Sequence, residues 1–283
     1  MSKISVFAFA DEACPKIDGQ IEAMLRNGLD GLEIRGVDGA NISEITVEKA
    51  REVRKKLDAA GLCVFSVGSP IGKIGISDDF GQHLDKFKHT LQLADVLGAK
   101  NMRLFSFYVD GDAMQYKDEV LERLNKLVEA AAGSGVTLCH ENEKGIFGDI
   151  PERCDIIHKS IPSIKAVFDP ANFVQCGVDT LTAYEMLKKH VEYMHIKDAT
   201  ENGSVVPAGH GIGNVKAIVG DLIASGMTRF TLEPHLTVFD GLAALEREGE
   251  KSNVGAFAYP DADTAFDAAV TAFDKITGRI SKC

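Results

Sequence analysis

Eight short runs of β-forming residues alternate with helical patterns along the chain, and this alternation constrains the fold more than any other feature of the sequence. The stretches between the runs carry apolar residues at three- and four-residue steps, as in Leu84, Phe87, Leu91 and Ala94. Such steps predict amphipathic helices that pack on a sheet. Strands joined by crossover helices form a parallel sheet. The predicted strands are 4–9, 31–35, 62–68, 101–107, 136–141, 164–169, 191–197 and 229–233.

The number of strand–helix units favours a closed barrel over an open sheet. Eight units in 283 residues are typical of a single (β/α)8 TIM barrel, an α/β fold with an eight-stranded parallel sheet. We therefore predict one domain over residues 1–283. A long connection follows the last strand, at about 235–260, where a βα loop usually has ~2–6 residues. It is either a lid over the active site, with GLAALERE (241–248) as a short extra helix, or a surface decoration or subunit contact.

The charge and cysteine content indicate a soluble cytoplasmic protein. The net charge of -11 argues against a broad cationic surface for nucleic acid or anionic membranes, so we expect neither partner. The six cysteines form no Cys-x-x-Cys pair, which favours reduced thiols. No signal peptide and no run of about 20 apolar residues is evident in the sequence. The oligomeric state stays open, including a homo-oligomer.

A potential metal ligand lies near the end of each of the last four predicted strands. They are Glu141 in VTLCHENE, Asp169 in IKAVFDPAN, His195 in VEYMHIKDA and Glu233 in TRFTLEPH. A single strand-end carboxylate is commonly a helix cap or a surface charge, but no short-range structural need asks for four such groups. In a (β/α)8 barrel the chemistry lies at the C-terminal strand ends. Three carboxylates and one imidazole predict a divalent-metal site that suits Mn²⁺, Mg²⁺, Co²⁺ or Zn²⁺, with Mn²⁺ or Mg²⁺ favoured.

Side chains two positions apart on a strand share a face, and this parity extends the predicted site. It groups the ligands with Glu143, Lys197 and His235, and it groups Glu33 with Arg35 on the second strand. These five side chains are predicted to line the same pocket and to bind substrate.

Other polar residues near the strand ends give weaker signals. Asn172 follows the sixth strand and either reaches substrate hydroxyls or stabilises a turn. His140 has the opposite parity to the ligand beside it and should pack on the helical layer, and Asp198 is expected to cap or orient. PAGHGIGN (207–214) offers backbone amides to an oxyanion or phosphate, or forms a flexible turn at the pocket rim. Further pocket candidates are Glu12, Arg103, Ser106 and His210.

The two glutamates of the predicted metal site are placed to carry protons. A metal that chelates a carbonyl and a neighbouring hydroxyl oxygen of a sugar acidifies the C–H bond next to the carbonyl. Glu141 and Glu233 lie on the fifth and eighth strands, so they can approach a substrate from two sides. One would remove the proton and the other would return it, through a cis-enediolate.

The segments that carry these residues resemble the xylose-isomerase-like TIM barrel superfamily, the sugar phosphate isomerase/epimerase group related to D-tagatose 3-epimerase, inosose dehydratase and endonuclease IV. They are HENEKGIFGD, FDPANF, HIKDA with PAGHGIGN, and TLEPHL, and the resemblance covers essentially the whole chain. It implies one Mn²⁺ held by Glu141, Asp169, His195 and Glu233, with the two glutamates as the catalytic acid/base pair.

Two departures from the ketose epimerase pattern keep the substrate open. Ketose epimerases usually carry a histidine where this chain has Asn172, and a Glu-x-x-Arg element that does not follow His195 here. The resemblance therefore implies a metal-dependent isomerase or epimerase of a small sugar, sugar derivative or polyol ketone. An inosose-type dehydratase on the same site and a catalytically inactive sugar-binding protein are the alternatives. The DNA-repair branch uses three zinc ions and more histidines than this chain offers, so nucleic acid is not expected as a partner.

Overall fold

The strands close into a parallel barrel. The computed structural model describes residues 4–239, 257 and 259–279. The barrel strands are β1 (Ser5–Ala8), β2 (Gly31–Ile34), β3 (Cys63–Val67), β4 (Asn101–Leu104), β5 (Thr137–Glu141), β6 (Lys165–Phe168), β7 (Val191–Ile196) and β8 (Arg229–Leu232). Each strand pairs in parallel with its neighbours, and β1 pairs with both β2 and β8, which closes the sheet. The prediction of a single α/β TIM barrel is confirmed.

The helices form the outer layer, and their ends follow local capping chemistry. They are α1 (Ile17–Arg26), α2 (Val47–Ala60), α3 (Phe80–Leu97), α4 (Lys117–Ala131), α5 (Pro151–Ser160), α6 (Pro170–Gln175), α7 (Thr180–Leu187), α8 (Val215–Ala224) and α9 (Ala262–Thr277). Helix α2 begins after Thr46, whose side chain accepts a hydrogen bond from Lys49 N–H, and it ends at Gly61 in the left-handed region. Glycine adopts that conformation at low cost. Phe87 and Leu91 of the predicted α3 stripe are buried in the core.

Short elements follow the barrel strands. Two antiparallel ribbons pair Gly36–Val37 with Ala40–Asn41 and Asp198–Ala199 with Val205–Val206. Single 3₁₀ turns span Ala10–Glu12, Ile42–Glu44, Ala113–Tyr116 and Lys188–His190. The two ribbons start after the C-terminal ends of β2 and β7, so they extend the face that holds the predicted site. Among the helices of the described residues, none is long and apolar enough to span a membrane.

The inward face of the barrel is apolar in its N-terminal half. Phe7, Phe65, Cys139, Val167 and Tyr193 form a buried cluster there, and the rings of Phe7 and Phe65 stack at 4.2 Å. Side chains two positions further along a strand share the same face. On β5, β6 and β7 those positions hold three of the predicted metal ligands. These ligands therefore lie next to the apolar cluster, on its C-terminal side.

The long connection predicted at about 235–260 lies largely outside the described residues, which include 235–239, 257, 259 and 260 but not 240–256 or 258. The predicted short helix GLAALERE falls entirely on residues that are not described. Its presence, and a lid or subunit-contact role for this connection, stay predictions.

Candidate metal centre

The four predicted ligands converge at the C-terminal end of the barrel. Glu141, Asp169, His195 and Glu233 each offer a ligand atom, and these atoms lie within 4.8 Å of one another. His195 Nδ1 is 2.8 Å from Glu141 Oε1 and 3.3 Å from Glu233 Oε2. The same nitrogen is 3.9 Å from Asp169 Oδ2. All four side chains are buried, so these carboxylates are not ordinary surface charges.

Negative charge exceeds positive charge around the four predicted ligands, which favours a bound divalent cation. Buried ion pairs join the carboxylates of Asp11, Glu12, Glu141, Asp169 and Glu233 to the cations of Arg35, Arg103 and Lys197, and Glu33 joins this network through His195. In the part of the chain that the structure describes, the carboxylates of this network outnumber the permanent cations of Arg35, Arg103 and Lys197 by three, and protonated His195 offsets one of these charges. Uncompensated buried charge is costly. A divalent ion would neutralise most of this excess.

Two ligand oxygens are open to such an ion. Glu141 Oε2 and Asp169 Oδ2 are buried and accept no hydrogen bond from any described residue. Glu141 Oε2 lies 3.1 Å from Arg103 Nη1, and Asp169 Oδ2 lies 2.9 Å from Lys197 Nζ. Both contacts are ion pairs that do not meet the geometry of a hydrogen bond. Each of the two oxygens can therefore still accept a further bond. The donor set, its burial and its charge therefore fit a bound divalent metal.

A carboxylate behind His195 sets the orientation of its ring. His195 Nε2 lies 3.1 Å from Glu33 Oε2. Tyr193 donates its hydroxyl hydrogen to Glu33 Oε1 at 2.8 Å, and Ser66 Oγ approaches the same oxygen at 3.3 Å. With the Nε2 proton directed at Glu33, Nδ1 is the nitrogen that faces the other three ligands. A carboxylate in this position fixes the tautomer of a metal-binding imidazole.

Burial and neighbouring charges act against each other on the pKa values of the glutamates. Burial raises the pKa of Glu233, but Lys197 and the neighbouring histidines outweigh it and hold this pKa well below its usual range. Burial also raises the pKa of Glu141, but His195 and Arg103 bring it to about 2. Both glutamates are therefore carboxylates at neutral pH, the form that binds a metal and accepts a proton.

The aspartate and the histidine respond differently to the same surroundings. Burial raises the pKa of Asp169 to about 7, although Lys197 opposes the shift. Burial lowers the pKa of His195, but the carboxylates of Glu141 and Glu33 outweigh it and hold this pKa well above its usual value. A metal at Nδ1 would take the place of the His195 proton, because metal ligands bind in their deprotonated form.

Asn142 is a positioning residue that sequence reasoning missed, because its parity points it away from the barrel interior. Its Nδ2 donates to Asp169 O at 2.8 Å, and its Oδ1 accepts from Asp169 N–H at 2.9 Å. Asn172 Nδ2 donates to Asn142 O at 2.9 Å and to Glu141 Oε1 at 3.4 Å. Asp169 Oδ1 in turn accepts from Asn172 N–H and caps α6. The two asparagines thus tie the ends of β5 and β6 together.

A polar cavity opens beside the four ligands. The groups that line it are mostly polar or charged. Its lining includes the predicted residues Arg35, Arg103, Glu143, Asn172, Lys197, Glu233 and His235. Sequence reasoning missed Lys73, Gln175 and Val205 in the same lining. Lys73 Nζ contacts Glu143 Oε2 at 2.9 Å, so these two side chains form a wall together.

Four predicted pocket residues do not line this cavity, and one of them, Glu12, is buried against Arg35 instead. His210 is exposed and its ring packs 5.7 Å from Phe257, because the loop that carries it folds away from the cavity. Glu33 is fully buried behind His195 and does not belong to the cavity lining. Ser106 Oγ hydrogen-bonds His140 Nε2 at 2.9 Å. The His140 ring lies 5.9 Å from that of His158 on α5, in the helical layer that its parity predicts.

The Gly-rich segment 207–214 binds a side chain of the protein itself. Gly209 N–H and Gly211 N–H donate to Asp198 Oδ2 at 2.9 and 3.0 Å, and Gly213 N–H donates to Asp198 Oδ1 at 2.9 Å. The interpretation that these amides receive a substrate oxyanion or phosphate is therefore wrong, because a buried carboxylate already fills them. Asp198 orients the loop, as one of the sequence-based alternatives proposed.

The family of the chain follows from comparison with known sequences. The sequence profile of the xylose isomerase-like TIM barrel family matches residues 21–249. The chain belongs to this family. A search of curated proteins finds no match. The resemblance inferred from the strand-end segments is confirmed.

Solved structures with the same fold are distant in sequence. The IolI protein, solved with a zinc atom, has a TM-score of 0.75 at 15% identity, over 99% of this chain and 100% of that chain. The probable 3-DHS dehydratase AsbF of Bacillus anthracis has a TM-score of 0.72 at 16% identity, over 95% of this chain and 98% of that chain. The 3-keto-D-glucoside 4-epimerase YcjR of E. coli has a TM-score of 0.70 at 14% identity, over 98% and 100%. At these identities the likeness shows the fold alone.

Proposed function

We propose that this protein is a divalent-metal-dependent isomerase or epimerase of a small sugar, sugar derivative or polyol ketone. The observation that carries the proposal is the convergence of Glu141, Asp169, His195 and Glu233 beside a polar cavity. One divalent ion belongs at these ligands. Mn²⁺ is our first choice, before Mg²⁺, Co²⁺ or Zn²⁺, since three carboxylates and one imidazole, with no thiolate, form a hard donor set.

Glu141 and Glu233 carry the proton transfers in this proposal. When bound, the metal polarises the substrate carbonyl and acidifies the adjacent C–H bond. One glutamate, as a carboxylate, removes that proton and leaves a cis-enediolate. In an isomerisation the same glutamate returns the proton to the neighbouring carbon, and the hydroxyl proton moves to the former carbonyl oxygen. In an epimerisation the other glutamate takes up a proton from solvent and delivers it to the opposite face, and the first glutamate releases its proton to solvent.

The cavity lining selects a substrate rich in hydroxyl groups. Asn172 and Gln175 offer amide groups, and Glu143 with Lys73 offers an acceptor and a donor at 2.9 Å from each other. His235 adds an imidazole to the same wall. Paired donors and acceptors of this kind suit neighbouring hydroxyls, because each hydroxyl both donates and accepts a hydrogen bond.

A dehydratase is the second candidate, and one residue of this chain favours it. Asn172 stands where the family resemblance gives ketose epimerases a histidine, and its Nδ2 is engaged by Asn142 O and Glu141 Oε1. A dehydratase needs the same C–H abstraction, followed by loss of a hydroxide from the next carbon as water. The two candidates differ in the product and share the metal centre.

The test is a metal-loaded screen of ketoses, aldoses and inososes, followed by NMR in deuterated water. The proposal expects an isomerised or epimerised product, with solvent deuterium at the reacting carbon wherever the proton exchanges. Loss of water with a new carbon–carbon double bond would instead identify the dehydratase. Binding of a sugar without turnover of any substrate would favour a sugar-binding protein.

Two variants test the roles of the glutamates on an identified substrate. Glu141→Gln and Glu233→Gln each remove one carboxylate at nearly unchanged shape, so each should lower kcat by at least about 100-fold, the scale of general acid–base catalysis. Asp267→Asn, in the Arg26–Asp267 ion pair at the surface, is the matched control and should leave kcat unchanged. Full turnover in both glutamine variants would refute the two-glutamate mechanism.

A further inference from the structure

A second cluster of metal-ligand atoms lies against the first. Glu12, Glu233 and His235 each offer one ligand atom, and these atoms lie within 4.8 Å of one another. All three side chains are buried. Carboxylate oxygens and imidazole nitrogens are both common ligands of divalent metal ions. The proposed function does not use this cluster as a metal site.

Glu233 belongs to both clusters through different oxygens. Its Oε2 lies 3.3 Å from His195 Nδ1 and faces the proposed metal centre. Its Oε1 lies 3.7 Å from His235 Nδ1 and faces the second cluster. A carboxylate that turns one oxygen to each of two cations is the bridging arrangement of two-metal sites.

The ring of His235 is aimed into the second cluster. Its Nδ1 is buried without a hydrogen-bond partner among the described residues, and the side chain is 8% exposed. Nδ1 lies 3.3 Å from Glu12 Oε1. The backbone of His235 has a φ of 44°, and its N–H donates to Glu12 Oε2 at 2.6 Å. Glu12 therefore fixes the backbone that directs this imidazole at the cluster.

A guanidinium already fills the space that a cation would take there. Arg35 Nη2 lies 3.0 Å from Glu12 Oε1, and Arg35 Nη1 lies 3.3 Å from Glu233 Oε1. Asp11 holds the same guanidinium from another side, through Nε at 2.9 Å and Nη2 at 3.0 Å. An arginine keeps its charge at any physiological pH, so this cation is permanent.

We propose that Arg35 substitutes for a second divalent cation and keeps the proposed centre mononuclear. Its guanidinium neutralises the oxygens of Glu12 and Glu233 that would otherwise bind a metal together with His235 Nδ1. It also repels a divalent ion from that position. Removal of the guanidinium should therefore create a second metal site in the same chain. The inference rests on the proposed metal centre, because Glu233 is shared.

The experiment is metal stoichiometry on the full-length protein, saturated with Mn²⁺ and freed of excess ion. The wild type should hold one equivalent per chain, Arg35→Ala two, and Arg35→Ala with His235→Ala one. Arg35→Lys should stay at one equivalent because it keeps a cation. The second ion should also alter the Mn²⁺ electron paramagnetic resonance spectrum, since two ions that share Glu233 are magnetically coupled.

Each outcome separates this inference from the proposed function. No bound metal in the wild type would overturn both. One equivalent in the wild type and one in folded Arg35→Ala would overturn this inference alone, and two in the wild type would do the same. If Arg35→Ala does not fold, Arg35→Gln decides between one and two equivalents, because its neutral side chain keeps part of the packing against Phe9 and Phe239.

Discussion

Replacing Glu33 with glutamine tests how this protein holds the imidazole of the proposed metal centre. In the wild type, Glu33 Oε2 lies 3.1 Å from His195 Nε2, and both side chains are fully buried. Glutamine keeps the shape and can still accept a hydrogen bond from Nε2, but it removes the negative charge. The imidazole then becomes a weaker donor to a metal at Nδ1, and its orientation is less well fixed.

The expected loss is a factor of about 10–100 in metal affinity, the usual effect of removing such a partner. This corresponds to about 1.4–2.7 kcal/mol of binding free energy. At a free metal concentration of about 1,000 times the wild-type Kd, bound metal stabilises the folded state by about 4 kcal/mol. A hundredfold weaker variant would keep about 1.4 kcal/mol of that stabilisation at the same concentration.

Competition with a chromophoric chelator measures the affinity, and thermal unfolding with and without metal measures the stabilisation. Tyr193→Phe is the matched control, because it removes the shorter of the two hydrogen bonds to Glu33 Oε1, at 2.8 Å, without touching His195 Nε2. It should weaken metal binding less than Glu33→Gln does. A folded Glu33→Gln protein with metal affinity within twofold of the wild type would refute the positioning role of Glu33.

Three further predictions concern the loop, the helical layer and the metal. Asp198→Ala leaves the amides of Gly209, Gly211 and Gly213 without their acceptor, and each unsatisfied group costs about 1–3 kcal/mol. Urea titrations should therefore show a free energy of unfolding that is lower by several kcal/mol, with a smaller loss in Asp198→Asn. An unchanged urea midpoint would contradict the structural role of Asp198. Burial, with the charges of Lys86 and Arg123, lowers the pKa of His83 to about 4, from about 6.5 in the unfolded chain. Between these two pH values the folded protein binds fewer protons than the unfolded chain, so it loses stability as the pH falls. His83→Gln should reduce the slope of the free energy of unfolding between pH 6.5 and pH 4 by up to about 1.4 kcal/mol per pH unit, and an identical slope would show that His83 does not titrate there. Chelation should abolish turnover of an identified substrate and added Mn²⁺ should restore it, whereas full activity of the metal-free protein would reject a metal-dependent reaction.

The fold and the convergence of the four strand-end side chains could be predicted because both depend on local periodicity. Alternation of strand and helix patterns defined the barrel, and the inward parity of Cys139 and Tyr193 extends by two residues to Glu141 and His195. Neighbouring parallel strands end at the same face of a barrel, so their terminal residues share one site. These relations need no knowledge of loop conformation.

The residues around the four predicted ligands are positioned by loop conformations and ring orientations. Neither follows the periodicity of a strand or a helix, so neither could be predicted from the sequence. Lys73 and Gln175 enter the cavity from segments beyond the strand ends. His210 was predicted to reach the pocket but is exposed, because the glycine amides around it fold onto Asp198. The role of Glu33 depends on which nitrogen of His195 faces the carboxylates, which a sequence does not reveal.

The most direct test of the metal centre is an anomalous-difference map from a crystal of the protein soaked in Mn²⁺. The account predicts one peak at a coordination distance of about 2 Å from carboxylate oxygens of Glu141, Asp169 and Glu233 and from Nδ1 of His195. Arg35 should remain against Glu12, with no second peak beside it. An empty centre in a crystal that binds the ion elsewhere, or a peak that leaves out His195 Nδ1, would contradict the account.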